Sequence, residues 1–310
     1  MKKIIENRTL IGEVLLALLA ISGLIRTILI RKNIFIILTL VVFFIFLVIA
    51  IIFKLRETTT KTEKITIKIF FDMISIIFAS LIVYLFHNYL EIHFFIMVPI
   101  VGLVGAFFFS KYENPLYLGA FIGMTTISIG YFIIIISLSA LLYFFFENAF
   151  SGFGGKLGSS AFFAGAFIAI FARNEITVVY NNIEIYIIIL TAIIAGMLTT
   201  VIQRTYKLST VLASAFVGLL GTSFLIFSGF KYGALITSVT LGASFIGMTV
   251  KENLRLYYIL FVSLIFAFLY IYVPFNGIGG KLGFTAFLSV LIIKGVSDLI
   301  NPYINKNYLV

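Results

Sequence analysis

Between its charged residues the chain is apolar in long, nearly unbroken runs. The run IFIILTLVVFFIFLVIAIIF at 34–53 holds 20 residues without a charge. At 1.5 Å per residue it crosses a hydrocarbon core of about 30 Å. Carried along the chain, the same pattern predicts about twelve helical segments. Two lie near 10–30 and 34–53. Five follow near 66–86, 92–110, 115–125, 128–146 and 157–172, and five more near 183–203, 209–229, 232–249, 256–273 and 282–297. The runs are apolar on every face instead of alternating, which excludes a transmembrane β-barrel. The pattern therefore predicts an all-α polytopic membrane protein with about 10–12 membrane segments. The basic, apolar start resembles a signal peptide, but a second apolar span follows at once, so we read it as an uncleaved first helix.

The two sets of five segments match. FIGMT occurs at 121–125 and again at 245–249, and GxGGKLGxxAF at 152–162 and again at 277–287, at offsets of 124 and 125 residues. Two motifs at a nearly constant offset predict two homologous five-segment repeats, 64–174 and 181–297. Residues 1–63 then form an added N-terminal hairpin and charged loop, and 298–310 a C-terminal tail. Five true crossings per repeat would invert the second relative to the first, whereas a re-entrant segment after GGKLG would leave the two parallel. Both topologies put most of the 22 Lys and Arg on the cytoplasmic side, and the counts differ by one residue. We take the inverted arrangement, which resembles inverted-repeat transporters in architecture. Lys156 then approaches from the cytoplasm and Lys281 from outside, with both termini cytoplasmic in the plasma membrane.

Composition sharpens this picture. Hydrophobic residues make up 62% of the chain and charged residues 11%, too few to cover a soluble domain, where about a quarter are charged. The net charge of +10 is read as positive-inside bias and attraction to anionic lipid, not as a nucleic-acid surface. With no cysteine there is no disulfide framework or thiolate ligand. No cofactor and no metal are expected, and the scarcity of carboxylates argues against an intramembrane enzyme that holds Mg²⁺.

The glycine–lysine repeat is the main candidate for chemistry. Glycines at 152, 154, 155 and 158 disfavour regular helix and permit a tight turn. The next helix is expected to start near Leu157 or Leu282, so its free N–H groups face the loop beside a lysine. Gly154, Gly155, Lys156, Gly158, Ser159 and Ser160 in the first copy, and Gly279, Gly280, Lys281, Gly283 and Thr285 in the second, thus make a candidate anion site. Against this, membrane glycines commonly serve close packing, and lysines at helix ends commonly snorkel to headgroups. Leucine follows GK in both copies, which excludes a Walker P-loop. Around Gly123, Thr125, Gly247 and Thr249, small residues at helical spacing favour tight helix packing. The alternative is a helix broken near Gly123 and Gly247, with free carbonyls on a pathway.

Three further groups are weighed. Lys68 and Asp72 lie four apart on one helix face, and a local ion pair is expected. Asp72 and Glu184 are minor candidates for proton or cation coupling. His87, Glu91 and His93 are read as a connecting loop and not a metal site. The reading as a whole is a channel or secondary transporter that passes a small, anionic solute between the repeats, with membrane lipid as surroundings and homo-oligomerisation left open. Its rivals are a lipid flippase or scramblase that binds a lipid phosphate, and a non-transporting subunit of a complex.

Overall fold

A computed structural model describes residues 7–58, 67–126, 128–172, 178–226 and 231–300. Among them every regular element is helical. The α-helices are α1 (Arg8–Ile30), α2 (Ile34–Glu57), α3 (Lys68–Tyr89), α4 (Phe94–Phe108), α5 (Glu113–Gly123), α6 (Ile129–Phe146), α7 (Lys156–Ala172), α8 (Asn182–Tyr206), α9 (Thr210–Ile226), α10 (Gly233–Ser244), α11 (Leu256–Tyr272) and α12 (Lys281–Ile300). Short 3₁₀ turns at Ser110–Tyr112 and Ile246–Met248 precede α5 and follow α10. Six helices, α1, α2, α3, α6, α8 and α12, are long and apolar enough to cross a membrane. Their outward faces carry exposed Phe35, Leu38 and Ile45 on α2 and Phe70, Phe78 and Leu85 on α3. Such a rim suits lipid, which hydrates no polar group.

Local chemistry sets where the helices begin and end. The Asn33 side chain accepts hydrogen bonds from Phe35 N and Ile36 N and starts α2. Asn181 and Glu184 form a reciprocal capping box on α8. Lys207, in the left-handed region at φ 52°, ends that helix. α12 runs through Lys294 to Ile300, past the short helix expected after the second GGKLG and into the expected tail. The physical reason is the Lys294–Asp298 ion pair, four residues apart, in which the two charges neutralise each other along one face. The charged stretch 54–64 is described only to residue 58, and the tail beyond residue 300 lies outside the described residues.

The helices pack in a pattern that occurs twice. α3 packs on α5 and α6, α4 on α5, α5 on α7, and α6 on α7. Likewise α8 packs on α10 and α11, α9 on α10, α10 on α12, and α11 on α12. The two groups meet through α4 against α9 and α7 against α12. The N-terminal pair wraps the outside, with α1 on α6 and α7, and α2 on α12. α1 touches both glycine–lysine regions. Near its start, Glu13 Oε1 accepts from Phe150 N at 3.4 Å. Just past its end, the Arg31 guanidinium donates to the Tyr272 carbonyl.

Candidate functional site

The segments 147–155 and 272–280, the second beginning on the last residue of α11, join α6 to α7 and α11 to α12. Both bend through the left-handed region at the same three places: Phe150, Gly152 and Gly155 have φ of 45°, 76° and 77°, and Phe275, Gly277 and Gly280 have 77°, 86° and 85°. Glycine adopts that region without strain. The two phenylalanines do not, and packing holds them there. Phe150 is fully buried edge-on against Phe287, and Phe275 edge-on against Phe162, with centroids at 5.1 and 5.6 Å.

Each loop is tied to the other half of the molecule. Gly154 N donates to Thr249 Oγ1 at 3.1 Å, and Gly279 N to Thr125 Oγ1 at 3.0 Å. Val250 N donates to the Gly152 carbonyl and Thr126 N to the Gly277 carbonyl, both at 3.0 Å. The FIGMT segment of one half therefore clamps the GGKLG loop of the other. At the centre α7 and α12 cross backbone to backbone: a Cβ on Gly158 would lie 2.5 Å from Gly283 Cα, and a Cβ on Gly283 would lie 2.5 Å from Gly158 Cα. Only glycine fits at that crossing.

These contacts revise the expected anion cradle. The N–H groups of Gly154 and Gly279 already bond to threonine. The Ser159 hydroxyl donates to the Gly155 carbonyl at the end of the loop, and the Ser160 and Thr285 hydroxyls to carbonyls in the first turns of their own helices, so their protons are not turned toward a ligand. Gly155, Gly158, Gly280 and Gly283 serve the turns and the crossing. Gly123 packs against Val83 and the Ser80 carbonyl, and Gly247 against Thr199. α5 does end at Gly123, and α10 ends shortly before Gly247, so tight packing and a helix end coincide there. α7 and α12 both start at the lysine itself, one residue before the expected leucine.

The two lysines stand apart from this packing. Lys156 Nζ donates to the Glu147 carbonyl at 2.7 Å. Lys281, 5% exposed, donates to Asn276 Oδ1 at 2.6 Å and lies 5.6 Å from the Tyr270 ring centroid. Neither forms an ion pair among the described residues. Each opens on its own cavity. One of about 370 Å³ is lined by Lys156 with Lys68, Lys111, Asn114, Tyr143 and Glu147. The other, of about 300 Å³, is lined by Lys281 with Ser238, Tyr270, Asn276, Phe94 and Phe95. Between them lies the aromatic seam, where Phe162 also stacks on Phe284 at 4.6 Å.

A chain of charges borders the first cavity. Arg8 reaches Glu147 at 3.4 Å, Lys68 reaches Glu147 at 3.0 Å and Asp72 at 3.6 Å, and Lys54 reaches Glu13 at 3.6 Å. Glu147 drew no attention in the sequence because its partners come from helices distant in the chain, and Glu13, whose place near a span end suggests solvation at the interface, is instead buried against Lys54. Glu184 is engaged in the α8 cap, with Asn181 N donating to it at 2.8 Å. His93 caps α4 by accepting from Phe95 N at 3.2 Å, and burial with the facing His87 lowers its pKa from the ordinary value. Among the described residues no three His, Cys, Asp or Glu side chains converge as metal ligands. No family model, curated protein or solved structure matches this chain.

Proposed function

We propose that the chain is a membrane transport protein that passes a small anion between two inverted copies of one five-helix unit, 64–174 and 181–297. The reciprocal hydrogen bonds, the paired left-handed residues and the recurring helix neighbours support the duplication. The course of α1 supports the inversion. Its 23 residues extend about 34 Å at 1.5 Å per residue, with loop 147–155 beside its start and loop 272–280 beside its end. The two lysines then face opposite sides of the membrane, with the plasma membrane and cytoplasmic termini as the reading that suits the basic charge.

One observation carries the choice of an anion. Lys156 and Lys281 each stand at a cavity, bonded to neutral oxygens and paired with no carboxylate among the described residues. A lysine withdrawn from water is costly; the Glu147 and Glu13 charges offset part of that cost at Lys156, no described carboxylate does so at Lys281, and an arriving anion supplies the balance. The loop N–H groups are a lesser part of the site than the lysines, since several are committed to the fold. The closed seam at Gly158, Gly283 and Phe162 means that passage needs a rearrangement, which favours a carrier that alternates between the cavities. The chain is read as needing no cofactor and performing no covalent chemistry. Purified protein in lipid vesicles, given radiolabelled chloride or rubidium, tests the reading. Uptake of chloride above that of rubidium supports it, and uptake of rubidium alone overturns it.

A further inference from the structure

We propose that Asp72 binds a proton when the anion enters, so that the protein carries proton and anion together. This rests on the anion reading of the Lys156 cavity and adds a coupling site to it. Asp72 is fully buried in α3. Neither of its carboxylate oxygens has a hydrogen-bond partner among the described residues. Among the described residues its only close counter-charge is Lys68 at 3.6 Å, and that ammonium is already hydrogen-bonded to Glu147 at 3.0 Å. One lysine thus serves two carboxylates, and the buried one has the weaker share.

The surrounding elements supply little else. The charges acting on Asp72 are those of Lys68 and Glu147. Tyr143 of α6 feels the Asp72 charge, and Arg8 of α1 is engaged with Glu147. α4 carries no titratable side chain. On α5, Glu113 accepts from Ser209 at 2.7 Å, and the Tyr117 hydroxyl lies 3.2 Å from Ser214 Oγ. Lys68 also lines the cavity beside Lys156. An anion bound there draws the Lys68 ammonium toward itself. Asp72 then loses its counter-charge and takes a proton on a carboxylate oxygen. With a monovalent anion the pair moves without net charge, and no covalent bond other than that O–H changes. Because linkage is reciprocal, protonation of Asp72 strengthens anion binding equally.

Asp72 and Asp298 are the only aspartates in the chain, so the proton can be observed directly. Full-length protein labelled with ¹³C-carboxyl aspartate and reconstituted in lipid is followed by isotope-edited infrared spectroscopy at neutral pH. The expected result is a protonated-carboxyl band that grows when potassium chloride replaces potassium gluconate. The band should be absent from Asp72→Asn and retained in Asp298→Asn, the second variant serving if the first does not fold. Lys68→Met should raise the band without chloride and remove its response to it. No protonated aspartate under any of these conditions overturns the proton site. A band indifferent to chloride, in a protein that takes up chloride, overturns the coupling. If chloride is neither carried nor sensed, the anion reading fails, and the coupling falls with it. The Lys68→Met band then decides the proton site alone.

Discussion

The loops at 147–156 and 272–281 share a backbone and differ in their company. Their left-handed residues, threonine clamps and phenylalanine contacts correspond one to one. The walls around their lysines do not. Lys156 opens on a cavity with two more lysines and Glu147, whereas Lys281 sits among Asn276, Ser238 and aromatic rings. Where Glu147 stands in the first loop, the second has Tyr272, whose carbonyl takes Arg31. The glycines thus encode the crossing, and the neighbours encode the chemistry. Backbone contact at Gly158 and Gly283 tolerates no side chain in either half, while the cavity walls are free to diverge.

If the shared backbone is a single device, equivalent glycines should fail equally. Gly155→Ala and Gly280→Ala each force a side chain into a left-handed residue and against a carbonyl 2.3 Å away. Each should cost about 2–5 kcal/mol, from the left-handed conformation and overpacking together, read as lost folded yield and a lower melting temperature. Tolerance of one but not the other would break the correspondence. Next in size, Thr125→Val and Thr249→Val leave the Gly279 and Gly154 N–H groups buried and unpaired. Each should destabilise by about 1–3 kcal/mol, measurable in the same melting experiment, and by similar amounts in the two halves.

The helices were legible because apolar runs declare themselves by length and lack of charge, and their bounds shift by only a few residues. The recurrence of FIGMT and GGKLG, on which the proposed duplication rests, was legible as well. That each FIGMT binds the opposite GGKLG was not, since a hydrogen bond such as Gly279 N to Thr125 Oγ1 spans 154 positions. The commitment of Ser159, Ser160 and Thr285 to their own helices was also hidden, because a hydroxyl in a first turn can face either way. The charges around Glu147 gather from α1 and α3, and no local pattern announces that meeting.

The lysines should separate chemistry from stability. Lys281→Met removes a buried ammonium that lacks a carboxylate, so stability should hold or rise by about 1 kcal/mol, while chloride uptake falls on the order of tenfold, as loss of about 1.4 kcal/mol of binding implies. A Lys281→Met protein that melts early and still carries chloride would make this lysine structural. The smallest effect belongs to Glu184→Gln, where glutamine preserves the capping box. Stability should stay within about 0.5 kcal/mol and uptake should not change, whereas a clear loss of uptake would return Glu184 to the transport pathway.

Whether the two lysines carry the anion is tested by chloride uptake into vesicles containing the folded Lys156→Met/Lys281→Met double variant. Uptake should fall to the level of protein-free vesicles, with the variant still monodisperse and melting at or above the wild-type temperature. Wild-type uptake from that folded variant would contradict it, and the two lysines would then have no part in the passage.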